Sequence, residues 1–358
     1  MTQASVVMMM MIAVMMLKDK YFALKFLILI IFYFFFHLNA NAHHGGESTI
    51  NGPGLAGPII TTPAFTLPKG TQFFGLGTNY TNFNTFSNTG LLNLGKHGED
   101  IHQFKNIFTP SLSGGYGITD NFYLSFNLPY AFKFNQRVSD GPPINVGSSI
   151  GVGDLTLFSA YRFLKREDIN LHVAFLGGLK IPSGVRRDRD NQGFLFGADD
   201  QPGTGSWDPS IGLAVSKGFK YFSLTSNGLY KFSTQGTQHT TVGDIALFNL
   251  AAAHRVQAND RIINKVFPQH LLNRDLYWDL ILEGNGQWSE KSRTDIYGTH
   301  IVDGNHGGVI IYISPGLRLI VNKKWITNLS VGLPVIEDLN NLQKGPNARL
   351  ILNFTRVF

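Results

Sequence analysis

The chemistry this sequence could perform rests on a set of charged side chains placed in otherwise uncharged, alternating segments: Asp154, Arg162, Lys180, Asp208, Lys231, Asp279, Glu283 and Arg318. In "WDLILEGNGQW", Asp279, Glu283, Asn285 and Gln287 alternate with Trp278, Leu280, Leu282 and Trp288, so the polar set shares one face of an extended strand. Carboxylates and cations withdrawn from water are normally paired. The mixed signs therefore read in one of two ways, as a salt-bridged plug or as the lining of a pore with a transverse field.

Other candidate residues are weaker. The loop "RRDRDNQGFLFGADD" spaces Asp188, Asp190, Gln192, Gly193 and Asp199 in the manner of a calcium loop, but Arg186, Arg187 and Arg189 offset the carboxylates and no helices flank it. It reads as a solvated loop whose arginines could touch lipopolysaccharide phosphates. Imidazoles suit zinc or copper, and His43 and His44 are adjacent, whereas His97, His102, His239, His300 and His306 are scattered over loops. An enzyme would need a nucleophile beside an oriented base. His172 shares parity with Asn170 and Lys180, and the register near His254 suggests a bulge, because Asn249 and Asp244 have opposite parity. No catalytic set and no cofactor site follow.

The elements that position these residues are strands. Alternating segments run at about 71 to 83, 105 to 118, 121 to 135, 151 to 164, 169 to 181, 206 to 219, 221 to 233, 242 to 256, 275 to 291, 307 to 321, 325 to 337 and 348 to 358. Connections alternate between tight turns ("TD", "KRED", "KGFK", "NKK") and long polar loops at 84 to 104, 136 to 150, 182 to 205, 292 to 306 and 338 to 347. The stretch 257 to 274 is long where the alternation predicts a short turn. Backbone groups cannot stay unpaired in lipid, so a spanning sheet must close. The expectation is an all-β, transmembrane antiparallel barrel of about 12 strands over 71–358, with turns facing the periplasm, loops facing outside and polar faces inward. Phe122, Tyr161, Phe163, Tyr221, Phe222, Trp278, Trp325 and Phe358 cluster at the turn end. Tyr80, Phe132, Phe134, Trp207, Tyr230, Phe232 and Trp288 cluster at the loop end. Two aromatic girdles are what two membrane interfaces select. A soluble sandwich also alternates but needs no such belts.

Composition agrees. Charged residues are 15% of the chain, against roughly 25% in soluble domains, and mean hydropathy is +0.00, so the chain is not a bundle of membrane helices. There are no cysteines, which excludes disulfide scaffolds and thiolate metal sites. Lys18, Lys20 and Lys25 precede the apolar run Phe26 to Phe36, and Ala40-Asn41-Ala42 supplies a small-x-small site. This is the layout of a secretory signal, and it predicts a signal region at 1–42 with cleavage before His43. Net charge of +6 falls further when that region is removed, and no basic module suggests nucleic acid. Residues 43–70 are Gly-, Pro- and Thr-rich without periodicity. They read as a periplasmic tail or as a lumen-directed segment, because extended, poorly hydrogen-bonded backbone is tolerated at membrane depth only inside protein.

At "GVGDLTLFSAYRFL", "GTGSWDPSIGLAVSK", "LEGNGQWSEKSR", "IYISPGLRLI", "SVGLPVIEDLN" and "NGPGLAGPIITTPAFTLPKG" the chain resembles an outer-membrane family labelled for the meta-pathway of phenol degradation. The resemblance implies a barrel of about twelve strands and a transport role for small, aromatic or hydrophobic solutes. The alternatives are a structural or binding surface barrel and an outer-membrane enzyme. The terminal strand "ARLILNFTRVF", with Leu352, Phe354 and Phe358 on one face, resembles the signal read by barrel-assembly machinery, with Arg356 departing from that pattern and snorkelling toward headgroups. The expected location is the cell outer membrane, and the expected partners are its lipids, lipopolysaccharide, the assembly machinery and a small-molecule solute.

Overall fold

The computed structural model describes residues 47–48, 52–53, 57–139, 144–220, 222–256 and 276–358. The signal region, His43, His44 and the 257 to 274 connection lie outside these described residues.

Twelve long strands form the wall: β1 Gln72–Phe83, β2 Asn106–Thr119, β3 Phe122–Val138, β4 Leu155–Arg166, β5 Leu171–Ile181, β6 Asp208–Gly218, β7 Ser223–Lys231, β8 Ile245–Val256, β9 Leu276–Ser289, β10 Gly308–Val321, β11 Trp325–Leu339 and β12 Pro346–Val357. Each pairs antiparallel with its sequence neighbours. β12 returns to β1 with Leu352 opposite Thr78 and Arg356 opposite Phe74, which closes the barrel. The expected fold class is the one observed. Closure satisfies every ladder without an edge, the condition for crossing lipid with strands.

The wall is inside out relative to a soluble barrel. Phe74, Leu76, Leu124, Phe175, Ile211, Leu250, Leu329, Leu352 and Phe354 are exposed, while Asp279, Glu283, Asn285, Ser216, Ser314 and Ser330 are buried. The period-two pattern produces both faces. Exposed rings mark both rims: Tyr161, Phe163 and Phe358 at the turn end, and Tyr80, Tyr130, Trp207, Phe232 and Trp288 at the loop end.

β3 has a composite neighbour. Ile144–Val152 pairs with its upper half and β4 with its lower half. Between them the chain breaks at Gly153 and Asp154, where the Gly153 N–H still reaches the Pro129 carbonyl at 2.8 Å. In β8 the register is continuous, without the bulge expected near His254. His254 consequently shares parity with the exposed Phe248 and Leu250 and faces outward.

The long loops carry structure that alternation could not reveal. Loop 84 to 104 contains helix α1, Asn88–Lys96, whose Ser87 side chain accepts from the Gly90 N–H. Loop 292 to 306 forms a small hairpin, Arg293–Ile296 with Thr299–Val302. Loop 182 to 205 is not simply solvated, as expected, but tucks its middle inward and buries Phe196, Ala198 and Gln201. The physical reason is local satisfaction of its charges. Asp188 accepts from the Ile150 N–H, Asp190 from the Gln192 and Phe194 N–H groups, and Arg189 donates to the Gly193 carbonyl. The apolar residues between them can then leave water.

Candidate functional site

The lumen is occupied by the chain itself. Gly57 to Gly70 runs as an irregular strap along the inner wall, starting from the turn end beside β1. Lys69 N–H reaches the Asp120 carboxylate at 3.0 Å, and the Thr66 hydroxyl donates to the Asp120 carbonyl at 2.6 Å. The Phe65 ring meets His172 of β5 edge-on at 4.7 Å. Ala64 N–H then donates to Ser216 of β6 at 3.0 Å, and Thr62 N–H to Asn227 of β7 at 3.0 Å. Pro58 completes the arc at β10, where its carbonyl accepts from Arg318.

The tightest hold is at Glu283 of β9. Its carboxylate accepts from the Ile59 N–H, from the Ile60 N–H at 3.0 Å, from the Thr61 N–H at 2.8 Å and from the Thr61 hydroxyl at 2.9 Å. It is 1% exposed. The strap has no regular structure, so its N–H groups have no partners of their own and take them from the wall. Pro58, Pro63 and Pro68 interrupt it and have no N–H to satisfy. Wall glycines make the room. A Cβ on Gly117 would overlap the Pro68 carbonyl, and one on Gly316 would lie 2.6 Å from Ile59 Cδ1.

Beside this hold runs a ladder of amides. Asn249 donates to Asn227 at 3.2 Å, Asn285 to Asn249 at 3.0 Å and Ser314 to Asn285 at 2.7 Å, and Asn285 also reaches Glu283 at 3.2 Å. Closer to the turn end, Arg255 forms a two-point pair with Asp279 at 2.7 and 3.1 Å. Arg318 is fixed by Asn328 at 2.8 Å.

A second constellation lies toward the loop end. Lys180 sits 2.5 Å from Asp208 and 3.6 Å from Asp154, and donates to Thr204 and Ser206. Asp154, at the break between the two pieces beside β3, accepts from Gly184 N–H at 2.9 Å and Thr204 N–H at 2.8 Å. Asp208 accepts from Thr234 N–H at 3.0 Å. Together these pin loop 182 to 205 onto the wall.

The structure thus gathers the sequence candidates into two groups. Asp154, Lys180 and Asp208 form the upper one. Lys231 lies in their field but has no ion pair of its own among the described residues. Asp279, Glu283 and Arg318 form the lower one. Arg162 joins neither, because its guanidinium caps the β2–β3 turn at the Asp120 carbonyl and the Asn121 side chain. Sequence reasoning missed Arg255, the asparagine ladder and Lys133, which donates to the Asp199 and Gln201 carbonyls. The shared inward parity of Asn227, Asn249 and Asn285 was the available signal.

Above both groups opens a cavity of about 1150 Å³, lined by residues of the long loops and strand ends. Among the described residues no three His, Asp or Glu side chains converge as a metal site. Asp188 and Asp190 of the calcium-like spacing are spent on backbone N–H groups. At the C-terminus, the Phe358 N–H donates to the Gln72 carbonyl at 2.9 Å, and Arg356 lies over the Trp325 and Phe358 rings at 4.8 and 4.6 Å.

A family model described as "Putative MetA-pathway of phenol degradation" matches residues 77–347. Among solved structures, the COG4313 outer membrane channel from Pseudomonas putida F1 aligns with a TM-score of 0.55 at 16% identity, covering 84% of this chain and 100% of that one. The KdgM porin (TM-score 0.37, 9% identity, 79% and 99% covered) and the NanC porin (0.39, 9%, 79% and 98%) align too loosely to bear on function. A comparison with curated proteins found no match. The closed barrel, the apolar outer belt and the structural likeness together make this an outer-membrane β-barrel with the fold of a channel.

Proposed function

The chain belongs to the family described for phenol degradation, and from that premise we propose that it is an outer-membrane channel for small solutes, aromatic or hydrophobic in keeping with the family description, whose lumen is narrowed by its own residues 57–70. The observation that carries this reading is the way the strap is held. It crosses a polar lumen through hydrogen bonds to Glu283, Asn227, Ser216 and Asp120, and backbone pairing with a wall strand occurs at its β1 end, where the Gly70 N–H donates to the Gly117 carbonyl at 2.8 Å. A segment attached this way can leave without breaking the barrel, since the twelve-strand closure does not include it.

The filled lumen also favours a second reading, a surface barrel whose strap is permanent. One experiment separates the two. A variant lacking residues 45–66 but keeping the signal region is inserted in planar bilayers beside the wild type. Higher conductance in the variant supports a strap-restricted channel. Equal conductance, with normal insertion, overturns it in favour of the surface barrel.

A further inference from the structure

The loop-end cavity has a chemistry of its own. Its wall carries the carboxylates Asp100, Asp199, Asp200, Asp295 and Asp303, against Lys344 and the imidazoles of His102, His239 and His306, with rings and aliphatic side chains between them. Most of these carboxylates are already engaged. Asp200 accepts from Gln136 at 2.5 Å and lies 3.5 Å from His102, Asp100 lies 3.2 Å from the same imidazole, Asp295 binds His300, and Asp303 caps the Asn305 N–H at 2.8 Å. Asp199 differs. The Lys133 ammonium beside it is taken by the backbone carbonyls of Asp199 and Gln201 at 2.7 and 3.1 Å. No side chain among the described residues donates to its carboxylate, which faces the cavity. Burial first, then the adjacent Asp200, pushes the Asp199 carboxyl up to about 6. A carboxylate held in that state gains from any cation brought to it.

A second observation is independent of charge counting. The Lys344 ammonium lies 4.1 Å from the centroid of the Phe86 ring, and both residues line the cavity. The chain's own primary ammonium therefore already occupies a ring face in this wall, the contact an organic cation would make.

We propose that the loop-end cavity recognises a small organic cation bearing an aromatic or apolar group, with the Asp199 carboxylate as counter-ion and the cavity rings as its apolar contact. This rests on the channel reading only in so far as the bound cation is also the solute that passes.

The test uses the full chain purified in detergent micelles, with phenethylammonium and its anionic counterpart 3-phenylpropionate as probes, followed by calorimetry. Phenethylammonium binds and 3-phenylpropionate does not. Asp199→Asn weakens the ammonium roughly tenfold or more, the scale for removing one member of a desolvated charge pair. Lowering the pH from 7.5 to 5 weakens it as well, because the Asp199 carboxylate becomes protonated on the way. The groups facing Asp199 during that change are Asp200, His306, Lys133 and His102. Equal binding of the two probes, or an Asp199→Asn affinity equal to wild type, overturns the proposal. The wild-type comparison of the two probes stands even if the variant fails to fold. Ammonium binding by a protein whose strap deletion leaves conductance unchanged keeps the site and sinks the channel reading. An enhanced conductance without preference for the ammonium does the reverse.

Discussion

The two ends of the lumen are closed by segments of similar irregularity held in opposite ways. At the loop end, Lys180 stands between Asp208 and Asp154, and the loop it fastens adds the Thr204 and Ser206 hydroxyls and the Gly184 N–H. The charges there are balanced mainly by the wall itself. At the turn end, Glu283 is balanced chiefly by the strap, through three successive N–H groups and one hydroxyl. Removing the loop would leave the ion pairs of Lys180 in place. Removing the strap would leave the Glu283 carboxylate with the Asn285 amide at 3.2 Å as its remaining donor among the described residues, in a polar lumen that water would have to fill. The first closure is part of the wall, and the second is conditional on a segment that can be exchanged for water.

This difference can be broken most severely at Lys180. In Lys180→Met, the carboxylates of Asp154 and Asp208 lose their shared cation while remaining buried. Breaking one partner out of a buried pair costs about 3–5 kcal/mol. The expected result is a clear fall in the temperature at which the folded band converts to the unfolded one in heat-modifiability electrophoresis. A wild-type conversion temperature would mean that the loop end is not fastened by charge.

At the other end, Glu283→Gln keeps the shape and removes the charge. Hydrogen bonds to charged groups contribute about 1.5–3 kcal/mol each, so the strap should loosen while the wall, paired strand to strand, stays intact. A cysteine placed at Thr62 reports this directly. Its rate of maleimide labelling from the turn side should rise roughly tenfold, the factor for about 1.4 kcal/mol of lost docking energy, with an unchanged conversion temperature. If the conversion temperature drops as far as in Lys180→Met, Glu283 belongs to the wall and the contrast between the two ends fails.

How much of this the sequence discloses follows from the range of each interaction. The wall was legible because lipid imposes one rule on every strand. Leu350, Leu352 and Phe354 alternate with Arg349, Asn353 and Thr355, and the same period recurs around the barrel. The inward position of Glu283 and Asp279 came from the same parity. What they bind did not, since Glu283 meets residues more than 220 positions away, and nothing in a period-two pattern encodes that distance. The strap was visible only as a lack of pattern, which a solvated tail shares. Loop 182 to 205 misled for a related reason. Its arginines and aspartates look like a surface, yet they are spent on backbone groups of the loop and its neighbour.

The smallest expected effect is a pH dependence confined to the loop end. His102 lies between Asp200 and Asp100, and its hydrogen bond with Asp200 is the main cause that raises its pKa to about 9, burial opposing it. A histidine whose folded pKa is raised adds stability that is fully present below the unfolded value of about 6.5. That contribution declines as pH rises and is lost above about 9. The imidazole is part-exposed, so solvent screening keeps the effect small. The backbone around Ile101 and Ser139, joined by hydrogen bonds in both directions at 2.8 and 3.1 Å, should therefore exchange its amides faster at pH 9.5 than at pH 6.5, after correction for intrinsic rates. Among the described residues, Glu283 and the strap share no hydrogen bond or ion pair with this imidazole, so Ile60 and Thr61 should show no such change. A His102→Gln variant should abolish the difference at Ile101. Acceleration of the same size at both ends would mean that the two closures open together, and that the turn-end strap is not independently exchangeable.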